Sequence, residues 1–227
     1  MCGRIANGAT PGYLRERFAE AGAADILNES GLLPRYNVTP GQYLPGIRTT
    51  PQKEHEWAVF RWGLIPRWAK PDKIPDRTFN ARSETVSEKP TFRDAYKSRR
   101  CIIPVSGYYE WTGSAGAKQP FYFHQKENDF LILAGLWETW KHGDNQVDSC
   151  TILTTAADSK LEKYHHRMPV FLSKDLISDW IENYDIPIDA IINSIETKDI
   201  KIYPVSKAVN NGRTDHEGLI DEMKTLL

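Results

Sequence analysis

From Trp57 to Trp62 apolar and polar residues alternate, the period of a strand with one buried face. Further on, Cys101–Val105, Tyr108–Trp111, Phe121–Phe123, Leu131–Trp137 and Thr151–Thr154 are short runs rich in β-branched and aromatic residues. Polar, glycine-bearing stretches at 113–118 and 141–145 separate some of them, which predicts antiparallel hairpins. Helical spacing is rarer. Thr10-Pro11 supplies an N-cap followed by proline at the first helical position, with Leu14 and Phe18 on one face and Gly22 or Gly31 as a stop. Ser173 opens a second helix with Leu176, Ile177 and Trp180 on one side, and 187–195 and 216–227 predict two more. The stretch 34–46 is punctuated by proline and glycine and predicts an ordered loop, as do residues 66–75 with their three prolines. Trp68 lies in that second loop, a poor position for a core side chain. No repeat or low-complexity linker divides residues 1–227, so a single α+β domain with a largely antiparallel, barrel-like core and flanking helices is expected.

Composition changes this picture little. With 40% hydrophobic and 26% charged residues, 227 residues can bury a core without disulfides. Cys2, Cys101 and Cys150 are too scattered for a disulfide framework and lack the spacing of a zinc site, which suits a reducing, cytoplasmic setting. No apolar run reaches the length of a membrane span. Charge adds more. The net −1 conceals a basic window, residues 61–100, with eleven Lys/Arg against five acids. Such a field is either a phosphate-binding footprint or a solvated loop of mixed charge.

Four stretches carry candidate chemistry. Removal of Met1 would leave Cys2 with an α-amine (~7.7–8.0) beside a thiol (~8.5), both partly nucleophilic at neutral pH. Such an aminothiol condenses with an aldehyde to an imine, which sulfur attack closes to a thiazolidine. Taken alone, Cys2 is equally a small residue at a frayed end. In Asn80-Ala81-Arg82-Ser83-Glu84 the polar residues share one face of an extended backbone, suited to holding a hydroxyl and a phosphate or simply to facing water. Glu110, flanked by aromatics, either keeps a raised pKa useful for proton transfer or pairs with an arginine. His165-His166-Arg167 joins proton-transfer groups to a cation; in a strand only one histidine can face a given site. No carboxylate or cysteine stands at ligand spacing from them, so neither a metal nor a cofactor is expected.

Taken in order, Cys2-Gly3-Arg4, Arg35–Pro40, Trp62–Pro66, Asn80–Glu84, Gly107–Trp111 and His165–Pro169 resemble the SOS response-associated peptidase (SRAP) family, over nearly the whole chain. The resemblance implies a protein that binds single-stranded DNA and captures the aldehyde of an abasic site as a thiazolidine crosslink on Cys2. It further implies that Asn80 positions Cys2 and the sugar, and that Glu110 and His165 shuttle protons. Arg4, Asn37, Arg82 and Arg167 would hold DNA, and Trp68 would pack on a neighbouring base. The family motif His-x-Arg-Met-Pro makes His165 rather than His166 the functional histidine. Autocatalytic loss of Met1, weak strand-cleaving lyase activity and a monomeric state are further expectations. One departure stands out: Ala69 occupies a place where the family often has a second aromatic. Two rival readings are an N-terminal-nucleophile glutamine amidohydrolase and a non-catalytic single-strand-binding module.

Overall fold

The alternation at Trp57–Trp62 is realised as six of the eight residues of a strand with Ala58, Phe60 and Trp62 buried on one face and Trp57 buried on the other. It belongs to a closed ring. The computed structural model describes residues 2–22, 26–29, 33–114, 116–126, 130–193 and 196–223. In chain order the first elements are β1 (Ile5–Asn7), α1 (Pro11–Arg17), α2 (Ile26–Glu29), β2 (Arg35–Val38), β3 (Tyr43–Thr49), β4 (His55–Trp62), β5 (Asn80–Arg82) and α3 (Arg93–Ser98). The remainder are β6 (Arg100–Val105), β7 (Gly107–Thr112), β8 (Gln119–Gln125), β9 (Leu131–His142), β10 (Asn145–Ala156), β11 (Arg167–Pro169), α4 (Ile177–Glu182), α5 (Ile188–Asn193) and β12 (Ile200–Pro204).

Strands β10, β4, β3, β6 and β9 pair in that order, and β9 returns to β10, closing a five-stranded barrel. Closure leaves those strands without a free edge. Beyond the ring, β10 also holds β5 in parallel and β11 antiparallel. A second sheet runs β12-β8-β7-β1-β2, antiparallel throughout. Apart from the parallel β10–β4 and β10–β5 pairs the architecture is antiparallel, and its class is α+β with a barrel core.

Buried side chains of both sheets meet in one cluster that includes Cys2, Ile5, Tyr108 and Phe123 from the open sheet and Phe60, Trp62, Ile103 and Ile152 from the barrel. On the other side of the barrel the helices cover Trp57, Ile102, Leu136 and Trp180. Gly46 shows why β3 contains Pro45-Gly46 and escapes a periodicity reading. A Cβ there would lie 2.8 Å from the Ile102 carbonyl oxygen and 3.0 Å from the Phe60 ring, so only glycine lets β6 approach.

Several expectations need correcting. The stretch 34–46 is not a loop: it holds β2, a short strand paired with the distant β1, and the start of β3, which forms a hairpin with β4. Helix α1 starts as expected, with Thr10 Oγ1 accepting from the Tyr13 N–H, but it ends at Arg17, well before Gly22; Gly31 lies outside the described residues. In place of a helix at 216–227, Glu217–Leu219 forms a single 3-10 turn, residues 224–227 lying outside the description. Likewise α5 is described only over Ile188–Asn193.

The basic window is also less of a field than its composition suggests. Arg100 is fully buried, donating to the carbonyls of Tyr96, Asn183, Tyr184 and Ile186, its guanidinium 4.5 Å from the Trp180 ring. Arg67 and Arg99 grip opposite oxygens of the buried Glu138 at 2.6 and 2.8 Å. These cations are structural.

Candidate active site

The segment Cys2-Gly3-Arg4 leads into β1, and the register Ile5↔Tyr108 continues backward through a hydrogen bond from the Tyr109 N–H to the Arg4 carbonyl at 3.0 Å. That register sets Gly3 beside Glu110 and delivers Cys2 to the junction of the two sheets. From the barrel side β5 supplies Asn80, whose Nδ2 donates to the Cys2 carbonyl oxygen at 2.7 Å. The other amide atom, Asn80 Oδ1, is buried and accepts no hydrogen bond among the described residues. A buried acceptor left unpaired is costly unless a donor arrives, and a hydroxyl or thiol is such a donor.

Cys2 is fully buried. Burial raises the thiol pKa far above its ordinary value, with the neighbouring Glu110 carboxylate adding to the effect. The sulfur is therefore held as S–H and needs a base in any step that uses it. Glu110 is only 5% exposed, and burial raises its carboxyl above the ordinary carboxylate value. Its strand places it opposite Phe121 of β8. A carboxyl shifted upward beside a nucleophile is suited to donate to a departing oxygen and take a proton back.

His165 sits at the end of a turn that follows β10, not in a strand. The extended geometry needed to point His165 and His166 apart is absent: their rings stack at 4.3 Å with 27° between planes. What separates them is burial, His165 being half-buried and His166 exposed. Burial lowers the His165 pKa to about 4, so its imidazole is neutral at pH 7 rather than poised near neutrality. Its Nδ1 lies 3.0 Å from the Arg167 N–H and 3.1 Å from the Arg167 carbonyl oxygen. The Arg167 backbone thus offers a partner to either neutral tautomer, and Nε2 can carry a proton or accept one.

The residues expected to hold DNA fall into two groups. Arg82 is exposed at the end of β5 and makes no ion pair among the described residues. Trp68 is 62% exposed, an unusual position for an indole. Its loop is fastened on both sides, by the Arg67–Glu138 contact and by Trp140 Nε1 donating to the Ala69 carbonyl at 2.8 Å. Ala69 itself is buried against Ile65 and Trp140, so position 69 presents no side chain outward.

The others are committed inside the molecule. Asn37 is fully buried: Oδ1 accepts from Arg4 at 2.6 Å, and Nδ2 donates to the carbonyls of Asn211 and Thr214. It has no donor left for a strand of DNA and instead ties β2 to the 207–214 segment. The same Arg4 nitrogen also donates to the Val209 carbonyl, and its guanidinium lies 5.6 Å from the Trp111 ring. Arg167 forms a parallel fork with Glu84, both N···O distances 2.9 Å, and a further bond to the Thr154 carbonyl at 2.6 Å. Glu84 reaches it because β5 stops at Arg82 and a 3-10 turn follows, so Glu84 does not share the face of Asn80 and Arg82. This fork was not legible in sequence, where the two residues are 83 positions apart.

Among the described residues no three His, Cys, Asp or Glu side chains gather as a metal site. Comparison with known proteins bears on the rest. YoqW of Bacillus subtilis (strain 168), an abasic site processing protein, is 34% identical over 226 residues, covering 97% of this chain and 99% of that one. YedK of Escherichia coli (strain K12), also an abasic site processing protein, is 29% identical, with 97% of this chain and 99% of that one covered. HMCES of Gallus gallus, another, is 28% identical over 95% of this chain and 76% of its own. Among solved structures, a protein from Bacteroides thetaiotaomicron superposes with a TM-score of 0.84 at 25% identity, covering 98% of this chain and all of that one. Residues 1–212 match the family described as SOS response associated peptidase (SRAP), and the chain belongs to it.

Proposed function

We propose that this protein processes abasic sites in single-stranded DNA by covalent capture on Cys2. The observation that carries the reading is the junction itself. A cysteine at position 2 is anchored through its carbonyl by Asn80, with a buried glutamic acid of raised pKa from β7 next to it and a neutral histidine on the neighbouring turn. The names of the relatives, abasic site processing proteins across nearly the full chain, support the choice of substrate.

Each step then has a donor and an acceptor. Loss of Met1 frees the α-amine of Cys2. The ring-opened sugar presents an aldehyde, and the amine adds to its carbonyl carbon. In the resulting carbinolamine, Glu110 in its protonated form assists departure of the hydroxyl as water, leaving a protonated imine and a carboxylate. The Cys2 sulfur then attacks the iminium carbon as its proton passes to a neighbouring base, Glu110 or His165, and the nitrogen keeps the N–H it already carries. A thiazolidine results, with no net oxidation or reduction. His165, through Nε2, orders or relays protons for the sugar hydroxyls. Arg82 and Trp68 bind the strand, by phosphate pairing and base stacking. Strand cleavage by β-elimination from the imine competes only while the ring remains open.

The test is direct. Uracil-containing single-stranded DNA freshly treated with uracil glycosylase is incubated with the protein and resolved on a denaturing gel. A heat-stable adduct is expected for wild type and for Cys150→Ser, and none for Cys2→Ala. Equal yield from Cys2→Ala would overturn the reading, as would intact mass showing Met1 retained on protein that forms the adduct.

A further inference from the structure

The turn that carries His165 is knotted to a distant strand. Lys160 Nζ donates to three backbone carbonyls, those of Thr197 at 2.8 Å, Lys198 at 3.0 Å and Ile200 at 2.8 Å. Asp158 does the complementary work. Its Oδ1 accepts from the N–H groups of Lys160 and Leu161, and its Oδ2 accepts from the Thr197 hydroxyl. Within the turn the Glu162 N–H bonds to the Asp158 carbonyl and the His165 N–H to the Leu161 carbonyl. Leu161 is buried in the shared core, and the Tyr164 ring packs edge-on against Phe121 and Phe123 of β8.

The far end of the knot matters as much. Ile200 begins β12, which pairs with β8 through Ile202↔Phe123. Strand β8 pairs with β7 through Phe121↔Glu110. A continuous ladder therefore runs from the His165 turn through Lys160 to β12, β8 and finally Glu110.

We infer that Lys160, with Asp158 and Thr197, is a positioning residue for capture: its ammonium fixes the His165 turn to the sheet bearing Glu110 and so sets the separation of the two proton-handling groups. The carbonyls of Thr197, Lys198 and Ile200 lie at the entry to β12, and a single ammonium with three donors gathers all three. Without it the tie to the 197–200 segment would rest on the Asp158–Thr197 hydrogen bond and on the packing of Leu161 and Tyr164. Displacements of an ångström in a catalytic group are enough to cost about 10²-fold in rate. The inference rests on the capture reading above.

The experiment compares Lys160→Met, which keeps the stem and removes the charge, with wild type and with Lys160→Arg. Three quantities are read: the single-turnover rate of adduct formation, affinity for single-stranded DNA bearing a tetrahydrofuran abasic analogue, and the NMR titration of the His165 ring. The charged surroundings of that ring are the N-terminal amine, His166, Lys118 from the β7–β8 turn, and the Arg167–Glu84 pair. Expected for Lys160→Met is capture slowed about tenfold to 10²-fold, unchanged analogue binding, and a His165 midpoint displaced upward as the turn opens to water, with Lys160→Arg restoring part of each. A folded Lys160→Met that captures at the wild-type rate with an unmoved midpoint, whatever its Tm, would sink the inference. Should it not fold, Asp158→Asn and Thr197→Val each remove one link and carry the same expectations. Failure of the capture reading looks different: wild type itself gives no adduct, while the ring titration still reports on the knot.

Discussion

Asn80 and Cys2 are joined across the two sheets by one hydrogen bond, Nδ2 to the Cys2 carbonyl oxygen at 2.7 Å. It ties the end of a strand on the barrel to the chain terminus of the open sheet. Asn80→Ala removes that tie and the unpaired Oδ1 together. Capture should slow while affinity for an abasic analogue persists, and stability should fall by about 1 kcal/mol, the net worth of one such bond. Single-turnover gels and thermal melts of the same preparation check both parts. Faster capture by Asn80→Ala would show that the amide restrains Cys2 rather than presenting it.

Glu110 and His165 should leave opposite marks on the pH dependence of stability. The Glu110 carboxyl is raised in the fold, so its contribution is present below the unfolded value and fades as pH rises through the folded one. His165 is lowered to about 4. Its contribution is present above the unfolded value near 6.5 and is lost as pH falls from there toward 4. Glu110→Gln should therefore melt higher than wild type at pH 7 to 8, yet capture about 10²–10⁴-fold more slowly. Melting curves from pH 4 to 8 decide this; a Glu110→Gln protein less stable at pH 8 contradicts the burial argument.

The two histidines separate by burial. His165→Ala should slow capture or its reversal, plausibly about 10²-fold or more, whereas exposed His166→Ala should change the rate little. The acid limb for the wild-type rate should lie nearer pH 4 than 6.5. A rate profile falling away with a midpoint at 6.5 would mean His165 works in a more hydrated state than the resting one.

Arg82 and Arg167 should differ in their salt dependence, although a composition reading treats them alike. Arg82 is exposed and without an acid partner among the described residues, so Arg82→Gln should lower the log–log salt slope by roughly 0.7. Arg167 is already paired to Glu84, and Arg167→Gln should change the slope less. Glu84→Gln releases that guanidinium and should steepen the slope and tighten binding. Fluorescence anisotropy across a salt series reads all three; identical slopes for Arg82→Gln and wild type would remove Arg82 from the backbone contacts.

Trp68→Ala should weaken binding by about 1–3 kcal/mol with the salt slope unchanged, the signature of a lost stacked base. Because the loop is pinned by Arg67 and the Ala69 carbonyl, Ala69→Trp should destabilise the protein instead of adding a second stacking ring.

How much of this the sequence disclosed follows a physical divide. Strands with long alternating or apolar runs, such as β4, β9 and β10, are visible because the period of burial is written in consecutive residues. Strand β3 hides behind Pro45-Gly46, and β2 and β11 are too short to show a period. Cys2 is nameable from its place behind Met1, and Asn80, Glu110 and His165 because polar groups stand where a strand should bury apolar ones. The partners of Asn37, Arg167 and Lys160 were not, since each bonds across a sequence distance that only the folded chain closes. For the same reason the charge of residues 61–100 could be counted but not divided between surface and core.

The barrel is a closed ring and the second sheet is open, and they share a core with Cys2 in it. On the capture reading proposed above, DNA held non-covalently by Arg82 and Trp68 on the barrel side would also be bonded to Cys2 at the junction with the open sheet. Unlike a disulfide, one covalent attachment closes no loop in the protein and leaves the freedom of the unfolded chain untouched. Its effect on stability would come from the folded state alone, where the same strand meets both halves of the fold. The lesion would then act as a tethered ligand of the protein that shields it.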